Sequence, residues 1–306
     1  MQKFNRAKIS KILIFALCLA IIIAVPIMAV LQKREAKADE EMTVLSLWQI
    51  DSFEGGRGSR ASYLQNIADE FSKKTGCYVI VTAISAESAR NNLNNGAQPD
   101  LISYGAGIYG IENYIKGKTP YFTWCNGGYC FLSLDTSANF EDITAENAVI
   151  NGGVDNYVDA VALLCGINGA VKEKPTGAYV SLINGKYKYL LGTQRDIYRL
   201  KTRGAEFSVK PITQFNDLYQ NISITCEGKK ATIAQQYIKF LLENSDKVAK
   251  LGLMSESKSL YDDEMRLMEG LTYETRLISP ISQNTKSEID SAIINCDIKK
   301  LKNLLN

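Results

Sequence analysis

The side chains that most often carry catalysis are missing from this sequence or stand in no useful pattern. Its 306 residues include no histidine. That excludes imidazole general bases, Ser-His-Asp triads and imidazole-ligated zinc. There is no Walker lysine and no G-x-S-x-G elbow. The seven cysteines fall at 18, 77, 125, 130, 165, 226 and 296, with no C-x-x-C among them. Cys77, Cys165 and Cys226 lie in apolar stretches and read as core thiols. Cys125 and Cys130 flank Asn126-Gly127-Gly128-Tyr129, where a hairpin would bring them together, and the sequence fits either a bridge or two free thiols. Asp262-Asp263-Glu264 falls on a helical pattern and reads as a solvated face. Opposed carboxylates can hydrolyse glycosides, but nothing in the spacing sets two of them face to face. The inventory argues against an enzyme, and neither a cofactor nor a metal is expected.

What remains is the chemistry of a binder. Trp48 closes an apolar segment, Tyr104 and Tyr109 bracket Gly105-Ala106-Gly107, and Tyr121, Phe122 and Trp124 cluster in a loop-rich stretch. Aromatic faces stack on the C–H faces of sugars, while Asp, Glu, Asn, Gln and Arg hydrogen-bond the hydroxyls. Gly56-x-Gly58-x-x-Ala61 has the outline of a dinucleotide fingerprint, yet no acid ends the next strand, at Val81-Thr82-Ala83-Ile84. It reads as a tight turn, or as backbone N–H groups at a helix start that meet a ligand hydroxyl or anion.

These residues need elements to position them. Met42–Ile50 is β-rich, and Ser59 caps a helix whose apolar face is Tyr63, Leu64, Ile67, Ala68 and Phe71, ended by Thr75-Gly76. Strands follow at 77–83 and 101–104, with a helix at 86–95 between them. This alternation predicts an α/β fold with a largely parallel sheet, beyond whose carboxyl strand ends ligands bind. Further strands are expected at 129–134, 186–192, 207–212 and 221–226, and helices at 155–164, 177–183, 193–200, 231–243, 261–269 and 285–305. A composition shift places a boundary near 118–121, with the chain recrossing near 209–215.

The first eleven residues carry Lys3, Arg6, Lys8 and Lys11 with no acid, and no charge occurs from Ile12 to Leu31. Two readings fit: a signal peptide cut after Ala36-Lys37-Ala38, or a retained N-terminal membrane anchor. Both export the remainder to the extracellular face of the membrane. The lipoprotein reading of Cys18 is poor, since Phe15-Ala16-Leu17 makes a weak lipobox. Residues 1–38 hold seven of the 35 basic residues and one of the 33 acids, leaving 28 against 32 and a net −4 for the exported part. Nucleic acid is therefore not expected as a partner.

Several segments in order resemble the extracellular solute-binding proteins of ABC importers, in the group that includes the maltose-binding protein. They are Val44-Leu45-Ser46-Leu47-Trp48 with the helix ending Phe71–Gly76; Gly96-Ala97-Gln98-Pro99-Asp100-Leu101-Ile102; Ile183-Asn184-Gly185-Lys186 leading to Leu190-Leu191-Gly192-Thr193; and Val209–Ile212, Ile222–Ile224 and Lys230-Ala231 through Phe240-Leu241-Leu242. The resemblance implies a two-lobe type II periplasmic-binding fold. Lobe I would comprise 39–120 plus about 214–262, and lobe II 121–213 plus about 263–306. It implies a monomer that captures a small solute, a carbohydrate by family habit, for an ABC permease. Sensing for a receptor or kinase on the same fold is the alternative. By position, Trp48, Asp51, Glu54, Tyr104, Trp124, Gln194 and Arg195 would line the cleft. Where sugar binders of the family carry an aromatic, this chain has Gln194-Arg195-Asp196, which suits an acidic or highly hydroxylated ligand.

Overall fold

A computed structural model describes residues 43–50, 58–115, 121–153 and 157–305. The leader, Asp51 and Glu54 lie outside them. Among the described residues no helix is long and apolar enough to cross a membrane.

Residues 44–306 form one compact unit. The chain opens with β1 (Val44–Ile50), α1 (Arg60–Thr75), β2 (Tyr78–Ile84), α2 (Ala86–Asn94), β3 (Leu101–Gly105), α3 (Glu112–Ile115) and β4 (Phe122–Asn126). It continues with β5 (Tyr129–Ser133), β6 (Ala148–Asn151), α4 (Val158–Leu164), β7 (Val171–Glu173), α5 (Pro175–Ile183), β8 (Tyr189–Thr193), α6 (Gln194–Thr202) and β9 (Ser208–Pro211). It ends with β10 (Phe215–Asn216), β11 (Tyr219–Ile224), α7 (Gly228–Glu243), β12 (Thr275–Arg276), α8 (Gln283–Ile294) and α9 (Ile298–Leu305).

Local chemistry explains the boundaries. Ser59 accepts from Ser62 N at 3.2 Å to start α1, and Gly76 ends it in the left-handed region. Lys73 and Lys74 sit in its last turn, where the carbonyl ends favour cations. Its buried stripe of Tyr63, Leu64, Ile67, Ala68 and Phe71 packs on the sheet and on α7. Phe71 meets Tyr237 of α7 edge-on at 5.6 Å.

Two five-stranded sheets share one plan, with orders β2-β1-β3-β11-β4 and β7-β6-β8-β5-β9. In each, the first three strands run parallel, the fourth is antiparallel, and the fifth pairs antiparallel to the fourth. The chain leaves the first sheet from its fifth strand, β4, and enters the second on its antiparallel strand, β5. It returns from the second sheet's fifth strand, β9, to the first sheet's antiparallel strand, β11. Each sheet is thus completed by a strand delivered from the other.

Some expectations change. Cys125 and Cys130 are both free and buried. They stand on β4 and β5, which belong to different sheets and form no hairpin. The expected helix over 285–305 is two helices, because Cys296 turns the chain at φ 52. The expected helix over 261–269 is a 3-10 turn at Glu264–Met268. Its Asp263 and Glu264 pair with Lys201, as solvated carboxylates do. Strands β4, β6 and β7 were not visible in the sequence: all are short, and β6, AVIN, has no polar–apolar alternation.

Candidate functional site

The site is organised by the two crossings. Gly127 N donates to Leu218 O at 2.6 Å, and Asn216 Nδ2 donates to Gly127 O at 3.0 Å. The outgoing and returning chains are therefore bonded to each other. Gln194, at the start of α6, joins them: its Oε1 accepts from Gly128 N at 2.9 Å.

Asp217, in the returning crossing, ties this joint to the cleft wall. One carboxylate oxygen accepts from the Tyr129 hydroxyl at 2.7 Å. The other accepts from Tyr157 N at 2.8 Å. Burial raises the Asp217 pKa to about 6, against stabilisation by those two bonds. Asp196 is also fully buried, and its pKa is raised for the same reason. A folded pKa above the ordinary 3.8 means that the folded chain holds the proton more tightly. The stabilising contribution of Asp217 is then fully present below about pH 4 and is lost as pH rises through about 6. For Asp217 the difference amounts to about 3 kcal/mol. In urea unfolding between pH 4 and 7, the stability of Asp217→Asn relative to wild type should rise with pH, because the variant lacks this titration.

A cleft of about 270 Å³ opens between the two sheets' loops. From the first side come Ala86 and Arg90 of α2 and Gly107-Ile108-Tyr109 beyond β3. From the other come Gly153 beyond β6, Tyr157 and Asp159 around the start of α4, and Lys172 of β7. Lys286, Asp290 and Ile293 of α8 complete it. Its position beyond the carboxyl ends of β3 and β6 is where α/β sheets place ligands. The Tyr157 hydroxyl donates across the floor to Gly107 O at 3.2 Å. Gly107 is required there: its φ is +70°, and a Cβ would lie 2.6 Å from the Tyr157 ring and 2.7 Å from Leu277. Within the cleft Lys172 pairs with Asp159 at 2.5 Å, and Lys286 pairs with Asp290 at 2.5 Å. Among the described residues no three His, Cys, Asp or Glu side chains gather as a metal site.

Of the described residues that the resemblance puts in the cleft, namely Trp48, Tyr104, Trp124, Gln194 and Arg195, none lines this cavity. Trp48 is half-buried against the cluster of Ile50, Ile102 and Tyr104. Tyr104 is fully buried, with its hydroxyl 3.0 Å from Ser223 Oγ. Trp124 is buried, stacks on Tyr63 at 5.5 Å, and donates from Nε1 to Ser103 Oγ at 2.9 Å. Gln194 is buried in the joint. Arg195 is half-buried in the first turn of α6, where its N–H meets the Thr193 cap at 3.3 Å. Tyr109 is the one strand-end aromatic singled out from sequence that reaches the cleft. Arg90, Tyr157, Asp159, Lys172, Lys286 and Asp290 carried no local signal, because α2, α4, β7 and α8 converge only in three dimensions.

Several solved structures share this architecture. A Trichodesmium protein (IdiA, FutA) in complex with iron and citrate ligands superposes with TM-score 0.57 at 10% identity, covering 85% of this chain and 99% of that one. Iron-bound HitA from Pseudomonas aeruginosa gives 0.52 at 11% identity, covering 84% and 99%. A protein described as a two-component system protein that mediates signal transduction gives 0.51 at 14% identity, covering 76% and 94%. No protein-family model matches the chain, and no curated protein matches it in sequence. The chain has the mixed α/β, two-lobe fold of periplasmic binding proteins.

Proposed function

We propose that the chain is an exported solute-binding protein that traps a small solute between its lobes and presents it to the permease of an ABC importer. The observation that carries this reading is the cleft: a small cavity with charged and apolar walls drawn from both sheets, at the carboxyl strand ends, beside a joint of two bonded crossings. A solute held by both walls stabilises the closed arrangement, and only that difference in affinity can close the lobes. The iron-binding neighbours have the same architecture, which supports capture as the role without naming the solute. The cleft's carboxylates and ammonium groups suit a hydroxylated solute, and a carbohydrate derivative is the class that the resemblance favours. Hydrogen bonds rather than ring stacking would hold it, because Arg90 sits 4.3 Å over Tyr109 and Lys286 5.7 Å over Tyr157.

The export leader, retained or cut after Ala38, would put the trap outside the membrane. A ligand-sensing role draws support from the signal-transduction neighbour. It would use the same cleft, with a receptor or kinase in place of the permease.

Small-angle X-ray scattering of the full chain in detergent, with and without a solute found in a thermal-shift screen, tests the trap. A smaller radius of gyration with solute is expected. An unchanged profile at saturating solute would remove closure from the account.

A further inference from the structure

The charges in the cleft do not balance, and the imbalance falls on one residue. Three cations and two carboxylates line it. Lys172 is matched by Asp159, and Lys286 by Asp290. Arg90 has no carboxylate partner among the described residues. Its guanidinium donates one long hydrogen bond, 3.5 Å from Nη1 to Tyr109 O. The side chain is nonetheless held in place. Its guanidinium lies 4.3 Å over the Tyr109 ring. Its stem crosses the backbone at Gly110, where φ is +76° and a Cβ would stand 2.7 Å from Arg90 Cδ. A half-buried guanidinium fixed on one face by a ring keeps its planar fork of donors available at its edge. A carboxylate or phosphate meets that fork with two parallel charge-assisted bonds, whereas a neutral hydroxyl makes weaker ones.

Resting on the reading of the cleft as a solute trap, we propose that its solute carries an anionic group, carboxylate or phosphate, held by Arg90. The two lysine–carboxylate pairs then face the solute's neutral polar groups, each pair offering donors and acceptors without adding net charge. The cavity's 270 Å³ limits the solute to a small molecule. Arg90 thus sets specificity by charge: an uncharged analogue leaves the guanidinium half-buried and unmatched.

The test is calorimetric titration of the full chain in detergent with three matched pairs: glucuronate and glucose, glutamate and glutamine, glycerol 3-phosphate and glycerol. In at least one pair the anionic member should bind tenfold or more tightly than its neutral partner, and which pair responds separates carboxylate from phosphate. Arg90→Gln should abolish that preference while leaving the ligand-free melting temperature in place. Arg90→Lys, which keeps the charge, should retain part of it. Equal or tighter binding of the neutral members, or a preference that survives Arg90→Gln, overturns the anionic solute and leaves the trap standing. Binding of none of the six by a folded chain counts against the trap itself and the inference with it.

Discussion

Replacing Trp124 by alanine is expected to cost about 3–5 kcal/mol of stability, the range for removing a large aromatic from a packed core. The ring is 1% exposed on β4. It lies nearly parallel to Tyr63 of α1, with an interplanar angle of 8°. Stacking of that kind adds about 0.5–1.5 kcal/mol beyond the area buried. Its indole N–H also satisfies Ser103 in the middle of the sheet. Against a typical total of about 5–15 kcal/mol, the variant should unfold at much lower denaturant, with solute affinity unchanged wherever it is still folded. A variant that keeps its urea midpoint but loses solute would place the ring in a binding site instead.

Asp196→Ala should cost about 3 kcal/mol, the scale of leaving buried hydrogen-bond donors without their acceptor. The Asp196 carboxylate is wholly buried. It receives Asn151 Nδ2 at 2.7 Å and Thr193 N at 3.1 Å, and pairs with Arg199 at 3.1 Å. The Thr193 bond is half of a capping box that starts α6. One carboxylate therefore joins the ends of β6 and β8 to α6, on the side of the second sheet that faces the joint. Alanine leaves the Asn151 amide and the Thr193 N–H without that acceptor inside the protein. Asp196→Asn, which keeps an acceptor oxygen and the volume, should cost clearly less. Equal urea midpoints for Asp196→Ala and wild type would show that the network adds nothing to stability.

The difference between what the sequence discloses and what it hides runs along a physical line. Elements set by local chemistry are readable: Ser59 and Gly76 bound α1, and the apolar stripe from Tyr63 to Phe71 names its buried face. The alternation of strands and helices gives the α/β class, and the ordered resemblance gives two lobes. Direction is harder to read. Trp124 and Tyr104 are aromatic and lie near strand ends, so they look like ligand platforms, but a side chain's face depends on which strand pairs beside it. Strand β11 arrives from 219–224 to cover Tyr104 through Ser223, and α1 reaches back to cover Trp124 through Tyr63. Gln194 and Asp196 look like polar cleft residues, yet they are consumed by the joint and the cap. Arg90 sits in a helix of Ser, Asn and Ala, where a basic residue has no local reason to be singled out. Its role comes from Tyr109, Gly110 and the facing lysine pairs, which lie 19 or more positions away in sequence.

Native mass spectrometry of the full chain, purified in mild detergent without added solute and then incubated with its best ligand from the matched pairs, addresses the central claim most directly. The account predicts one small molecule per chain, retained by wild type, released when the protein is unfolded, and absent or much reduced in Arg90→Gln. A folded wild-type chain that never gains such a mass, or an adduct as abundant in Arg90→Gln as in wild type, would contradict it.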